Sequence, residues 1–161
     1  MSNLNQLTAF EAARLIRDGQ VSSEELVQDC LNRIEEVDGE VQAWAHLEPG
    51  YALEQARQSD THRRSGAPIG ALHGVPVAVK DIFDTFDYPT EYGSPIHAGR
   101  KTVEDATAVA RLREAGAVIL GKTVTAEFAV LSPGKTTNPH DATRTPGGSS
   151  SGSAAAVASA M

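Results

Sequence analysis

The sequence predicts an α/β fold, a β-sheet layered with helices and partly parallel, and three observations carry that expectation. Two Ser/Thr-x-x-Glu spacings near the N-terminus each open an apolar pattern of helical period. Two short runs of branched aliphatic residues, "VPVAVK" (Val75–Lys80) and "AVIL" (Ala117–Leu120), read as buried strands. Between them, Asp105–Ala115 has a helical pattern, and strands separated by a helix pair in parallel through a crossover.

In chain order, Thr8 and Glu11 start the first helix, whose apolar face is Ala12, Leu15 and Ile16 and which Gly19 terminates. Ser22 and Glu25 start a second, with Leu26, Val27, Cys30, Leu31, Ile34 and Val37 at helical intervals up to Asp38-Gly39. Val41–Leu47 leans to strand and Tyr51–Arg64 to helix. Pro89, Gly93, Pro95 and Gly99 break the stretch after Lys80 into loop. Ala106, Val109, Ala110 and Leu112 mark the crossover helix, and Gly116 ends it. Ser132–Gly152 is rich in Pro, Gly, Ser, Thr and Asn and reads as loop; from Ser153 an alanine-rich helix starts that is unfinished at Met161.

Composition narrows the function. Of 161 residues 40% are hydrophobic and 22% charged, an ordinary globular balance with enough apolar residues for one core. Fourteen Lys+Arg against 21 Asp+Glu give a net charge of -7, which argues against a surface that wraps nucleic acid or anionic lipid and favours a small-molecule partner. Cys30 is alone, so no intramolecular disulfide framework exists, and the N-terminus lacks the apolar core of a signal peptide. With no apolar run of membrane-spanning length, a cytoplasmic protein is expected.

Two motif matches fail on their context. "GAVILGKT" (Gly116–Thr123) fits the phosphate-loop expression, but a phosphate cradle needs its middle positions in a loop, and here they are the strand Ala117–Leu120. "GSSSG" (Gly148–Gly152) fits the nucleophile elbow of α/β-hydrolases. That elbow needs a strand before it and a histidine after it; "DATRTPG" precedes, and no histidine follows His140.

Two features remain. Lys80 ends a buried strand, where it is either a solvated strand end or a desolvated lysine whose lowered pKa makes a neutral amine available as a base. Ser149, Ser150 and Ser151 are either a flexible glycine-serine turn capping the next helix or hydroxyls placed where free backbone N–H groups and a Gly-Gly entry suit a site.

At these residues the sequence resembles the amidase signature family. "PGGSSSGSAAAVA" (Pro146–Ala158) is similar to the Gly- and Ser-rich signature, and "GVPVAVKDIFDT" (Gly74–Thr85) to the block that carries the family's lysine. "PTEYGSP", "DATAVARLREAGAVILGKT" and "NPHDATRTPGG" extend the likeness over nearly everything from Gly70 onward. The resemblance implies a mixed β-sheet layered between α-helices and a Ser-cisSer-Lys triad. In it Lys80 is the base, Ser149 the bridging serine preceded by a cis peptide, and Ser150 a supporting hydroxyl within reach of the lysine. Neutral Lys80 would draw a proton through Ser149 from a nucleophilic serine, which attacks the amide carbonyl to form an acyl-enzyme that water releases. No cofactor or metal is implied, and His46, His62, His73, His97 and His140 take structural or surface roles. Leu131 and Ser132, in the loop before the signature, are the expected pocket residues.

In that family the nucleophile lies in a D-x-G-G-S-like block about two dozen residues beyond the bridging serine, which places it past Met161. Residues 1–161 are therefore expected to be the N-terminal portion of a single amidase domain, marginal in folding and inactive toward amides alone. The leading expectation is an amidase acting on a small carboxamide, since the triple serine and the short loop between "AEFA" and "NPH" are malonamidase-like. The alternative in the family is the glutamine-hydrolysing A subunit of tRNA-dependent amidotransferase, which works with partner subunits; outside it, a non-catalytic short protein or binding module. No membrane or direct nucleic-acid partner is expected. Oligomeric state is left open, a homodimer of the full-length enzyme included.

Overall fold

A computed structural model describes residues 3–130 and 132–161. Its first two helices follow from their caps. The Thr8 hydroxyl accepts from the Glu11 N–H while the Glu11 carboxylate accepts from the Thr8 N–H, opening α1 (Ala9–Arg17); Gly19 follows it at φ +69°. Ser22 and Glu25 make the same reciprocal pair at the start of α2 (Ser23–Val41). α2 runs past Gly39, where the sequence predicts its end, because its last turn buries Val41; it stops at Gln42, φ +53°.

β1 (Trp44–Leu47) leads into α3 (Pro49–Arg64), which starts on its proline. β2 (Pro76–Lys80) is followed by a long loop, then α4 (Thr107–Glu114) and β3 (Val118–Thr123). Asp105 stays outside α4, its carboxylate accepting from the Phe86 N–H and from Arg113 Nε. α5 spans Ser151–Ala158. Contrary to expectation it is closed within the chain: Ala160, at φ +56°, donates its N–H to the Val157 carbonyl and Met161 to that of Ala156, the paired bonds of a Schellman end.

The strands form a mixed sheet in the order β1-β3-β2, with β2 parallel and β1 antiparallel to the central β3. Helices lie on both faces. Val118 and Leu120 join the main core with Ile16, Leu26, Val27, Ile34, Ala56 and the Ala155-Ala156 pair of α5. Ile119 and Val79 face a second cluster with Tyr88 and with Val109 of α4.

The β2–β3 register is interrupted once. Val77 pairs with Ile119 but Ala78 pairs with Gly121, so Leu120 is an extra residue on β3. Side chains occupy the backbone groups freed there: Gln55 of α3 bonds both the N–H and the carbonyl of Ile119, and the Tyr88 hydroxyl donates to the Leu120 carbonyl. Because strand side chains alternate with period two, the bulge inverts the facing of the residues after it. Lys122 pairs with Val79 and so faces the α4 side; Thr123 pairs with Lys80 and faces α5. Gly121 is required at the same point, since a Cβ there would lie 2.3 Å from the His46 carbonyl oxygen.

Candidate active site

Lys80 is the last residue of β2, on the face covered by α5. Its Nζ donates to Ser149 Oγ at 2.6 Å, a hydrogen bond between residues 69 apart in sequence. Burial pulls the Lys80 amine below its ordinary pKa. The Gly148–Ser149 peptide is cis.

The serine side of the contact is fixed by a series of bonds to the chain leaving β3. The Ser149 carbonyl accepts from the Ala126 N–H at 2.9 Å, Gly152 N–H donates to the Val124 carbonyl at 2.9 Å, and the hydroxyls of Ser153 and Thr123 lie 2.7 Å apart. Gly152 permits this approach, because a Cβ would stand 2.3 Å from the Ala43 oxygen and 2.4 Å from the Val124 nitrogen. The glycine-serine run is thus a splice between α5 and β3, and the flexible-turn reading is set aside.

Not all of the expected site converges. Ser150 is exposed at the N-terminal cap of α5; its carbonyl accepts from Ala154, and among the described residues its hydroxyl has no bond to Lys80. Ser132 is exposed and its carbonyl accepts from the Glu127 N–H, closing a loop. Leu131 lies outside the described residues. The histidines stand elsewhere: His46 bonds Glu91, His62 the Pro68 carbonyl and His73 the Ser59 carbonyl, while His97 packs edge-on against Tyr92 and Phe128.

Two features escape a reading of the sequence alone. The first is the turn Glu127–Ala129 beside Ser149, where Phe128 and Ala129 hold φ of +49° and +58°, unusual for residues other than glycine. The Phe128 N–H donates to the Tyr92 carbonyl, tying this turn to the loop after β2. The second is an ion pair on the opposite face of the sheet from Lys80. Lys122, fully buried, meets Asp81, 2% exposed, at 3.0 Å. The lysine of "GKT" is therefore enclosed, as expected of a sequence that is no phosphate loop. A signal for the pair is present in "VKD" and "LGKT", two charged residues at the ends of apolar strands, but nothing in the sequence joins them.

Among the described residues, no group of three or more His, Cys, Asp or Glu is placed to hold a metal, and no helix is long and apolar enough to cross a membrane.

A strand-end lysine hydrogen-bonded to the first serine after a glycine pair, with a cis bond before that serine, is the arrangement that the resemblance to amidase signature proteins implies. Comparison with known proteins agrees. The sequence model of the Amidase family matches residues 25–161, and the chain belongs to that family. The A subunit of glutamyl-tRNA(Gln) amidotransferase from Thermobifida fusca is 49% identical over 164 residues, covering 98% of this chain and 33% of the relative; the Chloroflexus aurantiacus protein of the same name is 43% identical. Among solved structures, peptide amidase from Stenotrophomonas maltophilia superposes with a TM-score of 0.87 at 36% identity, covering 95% of this chain and 34% of that one. Fatty acid amide hydrolase superposes at 0.89 with 26% identity, covering 98% and 29%. The chain thus spans about a third of the length of the relatives it matches.

Proposed function

We propose that these residues supply the base and the relay of an amide-hydrolysing site, with Lys80 as base, Ser149 as relay and the nucleophile on residues outside the 161. The 2.6 Å contact between Lys80 Nζ and Ser149 Oγ carries the reading. Partial desolvation favours the neutral amine, and a neutral amine accepts the Ser149 proton as Ser149 Oγ takes one from the attacking hydroxyl. Run backwards, the relay delivers the proton to the departing nitrogen as the C–N bond breaks, leaving an acyl-enzyme for water to open. Ser150, exposed beside Ser149, supports the site from its rim, and Leu131 and Ser132 belong to the loop that shapes the pocket.

The substrate favoured by the triple serine and the short loop is a small carboxamide. A second reading, glutamine hydrolysis within a tRNA-dependent amidotransferase, is favoured by the name and the 49% identity of the Thermobifida fusca relative. Ammonia release by a protein that contains these residues together with the nucleophile tests both. Turnover of small aliphatic amides without partner subunits supports the first reading, and turnover of glutamine that requires partners supports the second. Either is expected to fall by about four orders of magnitude in Lys80→Ala. Full activity in that variant overturns the assignment. The 161-residue chain by itself is expected to release no ammonia.

A further inference from the structure

We propose that the buried Asp81–Lys122 pair is a positioning device for Lys80, holding the end of β2 so that the amine meets Ser149. The inference rests on the reading of Lys80 as the base of the site.

Asp81 immediately follows Lys80, so the two side chains leave the strand toward opposite faces. The Asp81 N–H donates to the Thr123 carbonyl at 2.9 Å, which extends the β2–β3 pairing one residue beyond the base. Its carboxylate receives Lys122 Nζ at 3.0 Å and the Glu91 N–H at 3.2 Å to each oxygen, and its carbonyl accepts from Tyr92. Lys122 completes the clamp. An ammonium has three donors, and beyond Asp81 this one reaches the Pro89 carbonyl at 3.0 Å and the Thr90 hydroxyl at 2.6 Å. One pair therefore binds the residue after the base, the central strand and the loop 89–92 together.

Stability does not explain such a pair. Taking two charges out of water costs as much as their attraction returns, and apolar residues of similar volume often serve equally well. What an ion pair adds is a fixed geometry, and here the geometry fixed is that of the residue next to Lys80. The other charged groups on this side include Asp84 paired with Arg100, Asp87 and Asp105 paired with Arg113, and the Glu91–His46 contact, while Lys80 itself meets a hydroxyl on the far side of the sheet.

The chain has four lysines, Lys80, Lys101, Lys122 and Lys135, so selective isotope labelling gives each a resolved side-chain NMR titration. The test compares the unsubstituted chain with Asp81→Asn/Lys122→Met, which removes the clamp while leaving the net charge unchanged. Lys80 is expected to titrate below ordinary lysine in the unsubstituted chain and to move back toward the ordinary lysine value in the double variant. Thr90→Val removes only one of the acceptors of Lys122 and is expected to move Lys80 the same way by less. A double variant that melts at a lower temperature while its Lys80 midpoint stays in place has lost a structural contact only, and overturns the proposal. Should the double variant fail to fold, Thr90→Val decides, and an unmoved Lys80 midpoint in it is likewise fatal. Ser149→Ala separates this inference from the reading beneath it. A Lys80 that responds to Ser149→Ala but to neither clamp variant overturns the positioning role alone, whereas one that titrates as ordinary lysine and ignores Ser149→Ala overturns both.

Discussion

Lys80 and Lys122 stand near the ends of neighbouring strands, yet they are opposite in chemistry. Lys122 is wholly enclosed and offered a carboxylate, a carbonyl and a hydroxyl, so its ammonium is held as a cation even though burial pulls its pKa down. Lys80 is only partly covered and, among the described residues, is offered one hydroxyl, with burial acting on it and no carboxylate in contact to oppose it. Depth of burial alone therefore does not distinguish the two lysines. The partners differ: an anion fixes the proton on nitrogen, whereas a neutral hydroxyl that accepts from the amine leaves it freer to lose its charge.

The contrast can be broken from either side. In a protein that also carries the nucleophile, Lys80→Met is expected to lower amide turnover by about 10⁴-fold while changing stability by only about 0.5 kcal/mol, read from ammonia release and a urea titration. Lys122→Met should act first on stability and, by releasing the clamp beside Lys80, lower turnover as well. It strands Asp81 as a buried unpaired carboxylate and is expected to cost about 3–5 kcal/mol, visible in the same titration. Gly152→Ala, which pushes a Cβ into the Ala43 and Val124 backbone, is expected to cost about 1–3 kcal/mol and to loosen Ser149 from Lys80; amide exchange at Gly152 and Ala126 reports it.

Smaller effects sharpen the comparison. Because the folded Lys80 amine binds its proton more weakly than the unfolded chain does, the unfolded state carries more protons between the lowered value and about 10.4. Lys80 therefore adds stability as pH rises through that window. The capping carboxylate of Glu25 has the same sign in the acid range. Its pKa is lowered by the bonds from the Ser22 backbone and side chain, so its contribution is present above the ordinary glutamate value and lost as pH falls through the depressed one. Ser22→Ala is expected to cost about 1 kcal/mol and to flatten the acid limb of a melting-temperature profile.

How much of this is legible in the sequence varies along the chain with the range of the interactions involved. α1 and α2 are plain because a cap and its partner lie three residues apart, and the same short reach makes Gly19 readable as a stop. The end of α2 is not, since Val41 owes its helical turn to burial against distant residues. The apolar run alone places the second strand at Ala117–Leu120; the sheet carries β3 on through Thr123, Gly121 by lacking a Cβ and Lys122 by finding Asp81. For the site, Lys80 and Ser149 are legible through the family likeness, and their 69-residue separation is not something periodicity can close. The same likeness places Ser150 at the lysine, but α5 begins at Ser151 and leaves the Ser150 side chain on the exterior.

The extra residue at Leu120 gives the site an arithmetic property. Which lysine neighbour faces the carboxylate and which faces the serines is set by counting residues along β3, and one more or one fewer would exchange them. Lys122 would then turn toward Ser153 and Thr123 toward Asp81, a cation delivered to the serine face and a hydroxyl left with the buried acid. Side-chain replacements in this strand are graded in their effects. A single insertion or deletion between Ile119 and Lys122 is a change of parity, for which no neighbouring substitution compensates.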